Sequence, residues 1–302
     1  MMPRYWGKNI RIDGYCVVEA DRTETRWAKW EAEQWEVDVQ NVFRKIEKSR
    51  IGKKLIGLIN EISGRYIEVL PIRSQNKQQT RAKPFDWTYA LKDGHETTGA
   101  DGERWSSAPR PGTTDMPTHS NLMVVGNGLG SNVTLYYHPG AWNSSRQMRA
   151  VDEACGFDTS RYGYGADDVL FHECVHAWRA MKGVFEVVAT GDTWRASEEF
   201  FAVVLSNIYV SETRPGDPLR GDNLERFSTL KEAGRQEGDA AFAMQYSAYF
   251  TQMKREMSEL IEPLLATKAG ERIGIWNPFR AEHEQQEKQL KANTVLLPGE
   301  LL

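Results

Sequence analysis

Apolar residues recur with a helical period in two stretches near the start of the chain. In residues 26–48 most apolar side chains fall on one face with charged residues between them, which predicts one amphipathic helix. The apolar residues of 55–62 predict a second, shorter helix that stops at Ser63 and Gly64. The β-rich stretch 66–70 predicts a strand directly after this helix.

A long polar segment follows, and then two more β-rich stretches. Residues 73–120 are rich in Gln, Lys, Thr, Gly, Asp and Pro with little periodicity, which predicts a loop that either covers a cleft or is disordered. Residues 121–125 and 133–137 flank the glycine-rich stretch 126–130 and are predicted to pair as a hairpin. Because no helix pattern follows this turn immediately, phosphate binding is not predicted there.

Helical periodicity dominates the second half of the sequence. It predicts helices over 167–181, 196–211, 224–233 and 239–265, followed by a charged tail over 269–302 that is either partly docked or loose. Together these elements predict an α+β fold with a small β-sheet and a mainly helical second half. The predicted organisation is 1–120 for the N-terminal helices, strand and loop, 121–268 for the core and 269–302 for the tail, all within one continuous domain.

Composition and charge narrow the class of protein. Hydrophobic residues make up 40% and charged residues 26% of the chain, as in ordinary globular proteins, and the net charge of −4 argues against nucleic acid as a partner. The three cysteines, Cys16, Cys155 and Cys174, lack the spacing of a disulfide framework or a thiolate metal cluster. No apolar run is long enough for a transmembrane helix, and the start lacks the apolar core of a Sec signal. We therefore expect a soluble protein made in the cytoplasm.

The strongest chemical signal is an HExxH motif in the predicted helix 167–181. Its histidines, His172 and His176, are four residues apart, so both imidazole rings lie on one helix face and can bind one metal ion. Glu173 follows the first histidine and is expected to take a proton from water at that ion. The pattern predicts a Zn²⁺ site with Glu173 as the catalytic residue.

A catalytic zinc site needs a third protein ligand and an open position. The third histidine of metzincins is missing, because Lys182 occupies its position, and the later His283 lies in the charged tail. A carboxylate is therefore expected, and Glu198 and Glu199 at the start of the next predicted helix fit best. Glu199 lies 23 residues after His176, which is enough for the first helix to end and the chain to return antiparallel.

These motifs together resemble known metallopeptidases. HExxH followed by a helix that opens Glu199-Phe200-Phe201-Ala202 is similar to the catalytic domain of anthrax lethal factor and to the Mlc titration factor peptidases. A wider resemblance, through residues 49–55, 66–70 and 218–223, is to bacterial effector metallopeptidases, including type III effectors and the peptidase domains of type VI secretion spikes. The resemblance implies a zincin-like fold of the gluzincin type, with the catalytic core in 121–268 and Glu199 as third zinc ligand.

The resemblance also implies a function and partners. It implies a zinc metallopeptidase that cleaves a protein or peptide substrate, is secreted by a contact-dependent machine, and has an immunity protein or a secretion-spike partner. A cytosolic regulatory zinc protein that binds a partner with little or no proteolysis is the alternative. Where lethal factor has an oxyanion-stabilising tyrosine this chain has Asp192, so that donor stays unassigned. The candidates for it are Tyr162, Tyr164, Tyr246, Tyr249 and Arg220.

Overall fold

The computed structural model of the chain is a mixed α/β arrangement with mostly helical content. It describes residues 3–18, 24–71, 130–142, 165–188, 194, 196–217, 219–221, 239–266 and 275–295, and the short strands between residues 81 and 125. The described strands are β1 (Arg4–Trp6), β2 (Ile10–Ile12), β3 (Cys16–Val18), β4 (Glu24–Arg26), β5 (Ile67–Pro71), β6 (Arg81–Pro84), β7 (Asp86–Trp87), β8 (Ala90–Leu91), β9 (Thr97–Thr98), β10 (Arg104–Trp105), β11 (Arg110–Pro111), β12 (Met123–Val125), β13 (Val133–Tyr137) and β14 (Glu186–Val188). The described helices are α1 (Lys29–Ile46), α2 (Arg50–Glu61), α3 (Ala166–Lys182), α4 (Ser197–Thr213), α5 (Asp239–Gln245), α6 (Ser247–Glu256), α7 (Ser258–Leu265) and α8 (Pro278–Val295).

Five strands form the main sheet, in the order β1-β2-β5-β13-β6. The middle three run parallel, with Ile67 of β5 opposite both Ile10 of β2 and Val133 of β13, while β1 and β6 add antiparallel edges. These three aligned side chains are fully buried and belong to the hydrophobic core. A second sheet of three strands has the order β14-β12-β8.

Helix α3 is the most deeply buried helix of the described structure. All of its residues except Lys182 are buried, and it contacts α1, α2, α4, β6 and β13. Because α3 is surrounded on every side, its apolar residues are not confined to one stripe. The HExxH motif lies in the middle of this helix, so its position is set by the core on all sides.

Four of the predicted helices are confirmed, with their ends shifted by a few residues. The predicted helices 26–48, 55–62, 167–181 and 196–211 correspond to α1, α2, α3 and α4. The predicted helix 224–233 lies outside the described residues. None of the described helices combines the length and the apolar character needed to cross a lipid bilayer.

The C-terminal third differs from its prediction in one respect and agrees with it in another. The single helix predicted over 239–265 is three helices, α5, α6 and α7, because the backbone leaves the helical region at Tyr246 and Met257. The predicted charged tail contains α8, whose Phe279 is fully buried with its ring centroid 4.8 Å from that of Phe250. Part of the predicted tail is therefore docked on the core, which is one of the two alternatives predicted for it.

The strand pairing also differs from its prediction. The hairpin predicted between 121–125 and 133–137 is wrong, because β12 pairs with β14 and β8, whereas β13 pairs with β5 and β6. The segment 73–120, predicted as a loop, contains the short strands β6 to β11, and β6 forms an edge of the main sheet. The pairing partners lie far apart in sequence, so a local pattern of β-rich residues does not determine them.

Candidate metal centre

The helix that carries the HExxH motif is defined by signals at both of its ends. The backbone N–H of Gly165 donates to Oδ2 of Asp168 over 3.1 Å at the start, as in a capping box. At the other end Gly183 has a φ of 72° and closes the helix with its N–H on the carbonyl of Ala180. His172 and His176 therefore lie well inside regular helix, one turn apart.

Polar contacts with two other helices hold the first turn of this helix. Asp167, which is 1% exposed, accepts hydrogen bonds from Tyr209 Oη at 2.7 Å and Arg214 Nη1 at 2.9 Å, at the C-terminal end of α4. Its other carboxylate oxygen lies 2.5 Å from Nζ of Lys45 in α1. The N-terminal end of the motif helix is thus tied to α1 and α4 by hydrogen bonds to the buried carboxylate of Asp167.

Three side chains converge on one point between α3 and α4. Nε2 of His172 lies 3.1 Å from Nε2 of His176 and 3.2 Å from Oε2 of Glu199, and Nε2 of His176 lies 3.6 Å from that oxygen. Ligand atoms about 2.0–2.1 Å from a tetrahedral zinc ion are separated by about 3.3 Å. The observed spacings match that value, so these residues can hold a metal ion.

The first turn of α4 directs two neighbouring carboxylates at the same histidine. Glu199 points to Nε2 of both histidines, whereas Oε1 of Glu198 lies 3.2 Å from Nδ1 of His176. The following residues, Phe200 and Phe201, are fully buried and fix the rotation of the helix. The structure thus brings Glu199, and not Glu198, to the point where the two Nε2 atoms meet.

The electrostatics of the cluster suit a bound cation. Burial lowers the pKa of His172 to about 4, despite its hydrogen bond to Glu199. Burial also lowers the pKa of His176, but the charge of Glu199 and the hydrogen bonds of Glu198 and Glu199 raise it well above its usual value. Burial raises the pKa of Glu199, yet the two histidines leave it well below its usual value. An ionised carboxylate faces a neutral imidazole and a protonated one, and a divalent cation can take the place of that proton.

Glu173 and Cys174, which lie between the two histidines of the motif, are both buried. Glu173, the expected general base, is 8% exposed next to His172. Cys174 is fully buried, and burial together with the charge of Glu173 raises the pKa of its thiol. A protonated thiol in the core is not nucleophilic, so Cys174 has a packing role.

The candidates for oxyanion stabilisation differ in where they lie. Tyr246 and Tyr249 pack against Phe200, with ring centroids 5.0 Å and 4.9 Å away. The positive charge of Arg220 contributes to lowering the pKa of His172, after burial and His176, so its guanidinium acts on the cluster. Tyr162, Tyr164 and Asp192 lie outside the described residues.

One residue of the site was not found from the sequence. Arg179, fully buried, donates from Nε to both carboxylate oxygens of Glu198, at 3.0 Å and 2.8 Å. An arginine in the last turn of a helix usually complements the helix dipole, and that pattern gives no indication of a buried ion pair. The signal that could have identified Arg179 is its position three residues after His176, which places both side chains on the same face of α3.

Comparisons with protein families, curated proteins and solved structures find no match to this chain. The assignment of a function therefore depends on the site itself. What the described residues provide is a buried pair of histidines and a carboxylate that can bind a metal ion.

Proposed function

We propose that this chain is a zinc-dependent metallopeptidase of the gluzincin type with a zincin-like fold. The convergence of His172 Nε2, His176 Nε2 and Glu199 Oε2 within 3.1–3.6 Å of one another carries the proposal. Two imidazoles and a carboxylate form the ligand set of catalytic zinc sites that keep a fourth position open. The HExxH spacing on a helix, with the glutamate on the next described helix, supports the same class.

The residues around the ion have separate tasks in this proposal. His172, His176 and Glu199 would hold the zinc ion, which would supply Lewis acidity toward the scissile carbonyl and toward water. Glu173, beside the first ligand, takes the proton of the attacking water and passes it to the leaving amine. Glu199 would bind the ion through its carboxylate, as the third protein ligand. Burial of His172 and His176 keeps bulk water from competing for their ring nitrogens.

The substrate that we propose is a protein or peptide, and the setting that we propose is that of a bacterial effector. The resemblance to type III and type VI effector peptidases supports this setting, with an immunity protein or a secretion-spike protein as partner. In that case expression in the compartment where the substrate resides is toxic, and Glu173→Gln abolishes the toxicity.

The decisive experiment measures metal content and cleavage on the same set of variants. Wild type, His172→Ala, Glu199→Ala and Glu173→Gln are purified, their zinc is determined by mass spectrometry, and hydrolysis is followed with fluorescein-labelled casein and by self-cleavage. We expect wild type to contain one zinc ion and to cleave. The two ligand variants should lose both properties, whereas Glu173→Gln should keep zinc and lose about 10²–10⁴-fold in rate.

Three other outcomes of this experiment would each contradict one part of the proposal. Cleavage by Glu173→Gln at the wild-type rate contradicts the proposed general base. Zinc in every variant contradicts the ligand set. A wild type that retains zinc and cleaves neither casein nor itself contradicts general peptidase activity and favours the alternative of a regulatory zinc protein.

A further inference from the structure

A buried ion pair lies directly behind one of the two histidines. Arg179 is 0% and Glu198 1% exposed at the side chain, and the guanidinium Nε binds both carboxylate oxygens. Nη2 of Arg179 donates further to the carbonyl of Val184 at 2.7 Å and to Oε2 of Glu256 at 3.0 Å. The guanidinium carbon also lies 4.7 Å from the ring centroid of Phe201. Arg179 is therefore fixed by contacts from α4, α6 and the end of α3.

An ion pair so deeply buried contributes little net stability. The cost of removing both charges from water is about as large as their attraction, and apolar side chains of similar volume often stabilise a core equally well. What a buried pair does provide is a defined orientation of its members. Here the oriented member is Glu198, because both of its oxygens are engaged by one planar group.

The carboxylate that Arg179 orients also contacts a metal-site histidine. Oε1 of Glu198 lies 3.2 Å from Nδ1 of His176. A carboxylate accepts and does not donate, so Nδ1 must carry the proton of this hydrogen bond. The neutral form of His176 then has its lone pair on Nε2, the atom that lies 3.1 Å from Nε2 of His172.

We propose that Glu198 and Arg179 are positioning residues for the metal centre. This role rests on the proposed zinc site. Arg179 holds the carboxylate of Glu198 in place, and Glu198 in turn fixes the tautomer and the ring orientation of His176 and raises its basicity as a ligand. The arrangement is asymmetric, since Nδ1 of His172 has no hydrogen-bond partner among the described residues. His176 is thus the ligand whose geometry the protein controls through a charged partner.

Zinc affinity tests this role without depending on catalysis. Apparent dissociation constants are measured by competition with a fluorescent zinc chelator for wild type, Glu198→Ala, Glu198→Gln and Arg179→Met. Glu198→Ala should weaken zinc binding about 10–100-fold. Glu198→Gln should weaken zinc binding less than Glu198→Ala does, because the amide oxygen of glutamine can still accept the hydrogen bond from Nδ1 of His176. The matched control is Glu259→Gln, which removes a surface ion pair with Lys182 at the same end of α3 and should bind zinc as wild type does.

A spectroscopic readout separates positioning from general loss of structure. In the zinc-loaded protein labelled with ¹⁵N-histidine, the Nδ1 proton of His176 should give a downfield, slowly exchanging signal in wild type that is lost in Glu198→Ala. Circular dichroism of the metal-free variants checks that they fold. If Arg179→Met does not fold, Glu198→Gln still tests the positioning role. Wild-type zinc affinity and an unchanged signal in folded Glu198→Ala would overturn the positioning role alone. A wild type that binds no zinc would overturn the metal site and this inference together.

Discussion

Arg220 is the described oxyanion candidate whose positive charge acts on His172. Its charge contributes to the lowered pKa of His172, and the side chain of Asn207 holds its backbone by two hydrogen bonds of 2.9 Å, one to the N–H and one to the carbonyl. A positive charge whose field reaches the site can stabilise the oxyanion of a tetrahedral intermediate. Arg220 thereby becomes the favoured member of the described oxyanion candidates.

We expect Arg220→Met to lower kcat about 10²-fold while zinc content stays at one ion per chain, because a single oxyanion donor has an effect of this size. Casein hydrolysis and metal analysis on the same preparation check the result. Tyr246→Phe and Tyr249→Phe are the comparison variants, and both should retain kcat, since these rings pack in an aromatic cluster with Phe200. A loss of kcat in either tyrosine variant with Arg220→Met unaffected would transfer the role to that hydroxyl group.

At the scale of single residues, the sequence predicts the candidate metal ligands better than it predicts the residues that hold these ligands in place. His172 and His176 follow from helical spacing alone, and the contact of Glu199 with both was expected from its place at the start of the next helix. The hydrogen bonds of Arg179 to Glu198 and Glu256 join residues that are 19 and 77 positions apart. Such contacts depend on how three helices pack, and no local pattern encodes that packing.

Among the secondary-structure elements, the entry to β13 is attached to the end of the motif helix at one glycine. Gly130 has a φ of +71°, and a Cβ placed on it would lie 1.9 Å from the carbonyl oxygen of Met181. The next residue, Ser131, donates its N–H to the carbonyl of Ala180 at 3.1 Å. Only a glycine allows the strand to approach the last turn of α3 so closely.

We therefore expect Gly130→Ala to destabilise the fold by about 3 kcal/mol, the sum of a left-handed alanine and a backbone displacement. Gly64→Ala is a matched control, because Gly64 has the same φ of +71° and a Cβ added there would meet no heavy atom within 4 Å. It should cost about 1 kcal/mol. Urea unfolding of both variants measures the difference, and equal costs would show that the close approach to α3 is unimportant.

The attachment of the other end of α3 depends on an ionised carboxylate. Burial raises the pKa of Asp167, but Arg214, Lys45 and Tyr209 together lower it below its usual value. A carboxyl group whose folded pKa is depressed stabilises the fold above its unfolded pKa of about 3.9, and this stabilisation is lost as the pH falls through the folded value.

Asp167→Asn should accordingly cost about 3 kcal/mol at pH 7, and the deficit relative to wild type should shrink below about pH 4. Unfolding free energies of the two proteins between pH 3 and pH 8 check the trend. Asp217→Asn removes the exposed partner of the same Arg214 and should change stability by less than about 1 kcal/mol. A deficit for Asp167→Asn that is independent of pH would mean that its charge does not contribute.

Secondary-structure elements could be predicted from the sequence where a single segment carries the signals for its own start and end. Helix α3 has acidic residues in its first turn and Gly183 beyond its last, and its predicted and observed ends differ by one residue. Three-residue strands such as β1 and β2 are too short to show a period. The backbone of β5 pairs with β2, and β2 in turn pairs with β1. The break at Tyr246 has no Gly or Pro to mark it, and it follows from packing of its ring against Phe200 and Trp194.

On the scale of the whole molecule, the candidate metal centre joins two helices and is connected through Arg179 to a third. His172 and His176 belong to α3 and Glu199 to α4, and Arg179 extends the contact to Glu256 in α6. A metal ion at this point binds only the folded arrangement, because the three ligand atoms are not close together in an unfolded chain. Metal binding and global stability must therefore be linked.

The linkage has a defined size that a titration can test. For one zinc site the free energy of unfolding rises by about 2.7 kcal/mol when free zinc is 100 times the dissociation constant, and by about 1.4 kcal/mol for each further tenfold increase. We expect this slope in wild type and in Glu173→Gln, which keeps all three ligands, with reversal by a chelator. His172→Ala should show no zinc-dependent stabilisation over the same range. Equal stabilisation of His172→Ala and wild type would place the bound zinc elsewhere, because the only change between them is an imidazole whose Nε2 lies 3.2 Å from Oε2 of Glu199.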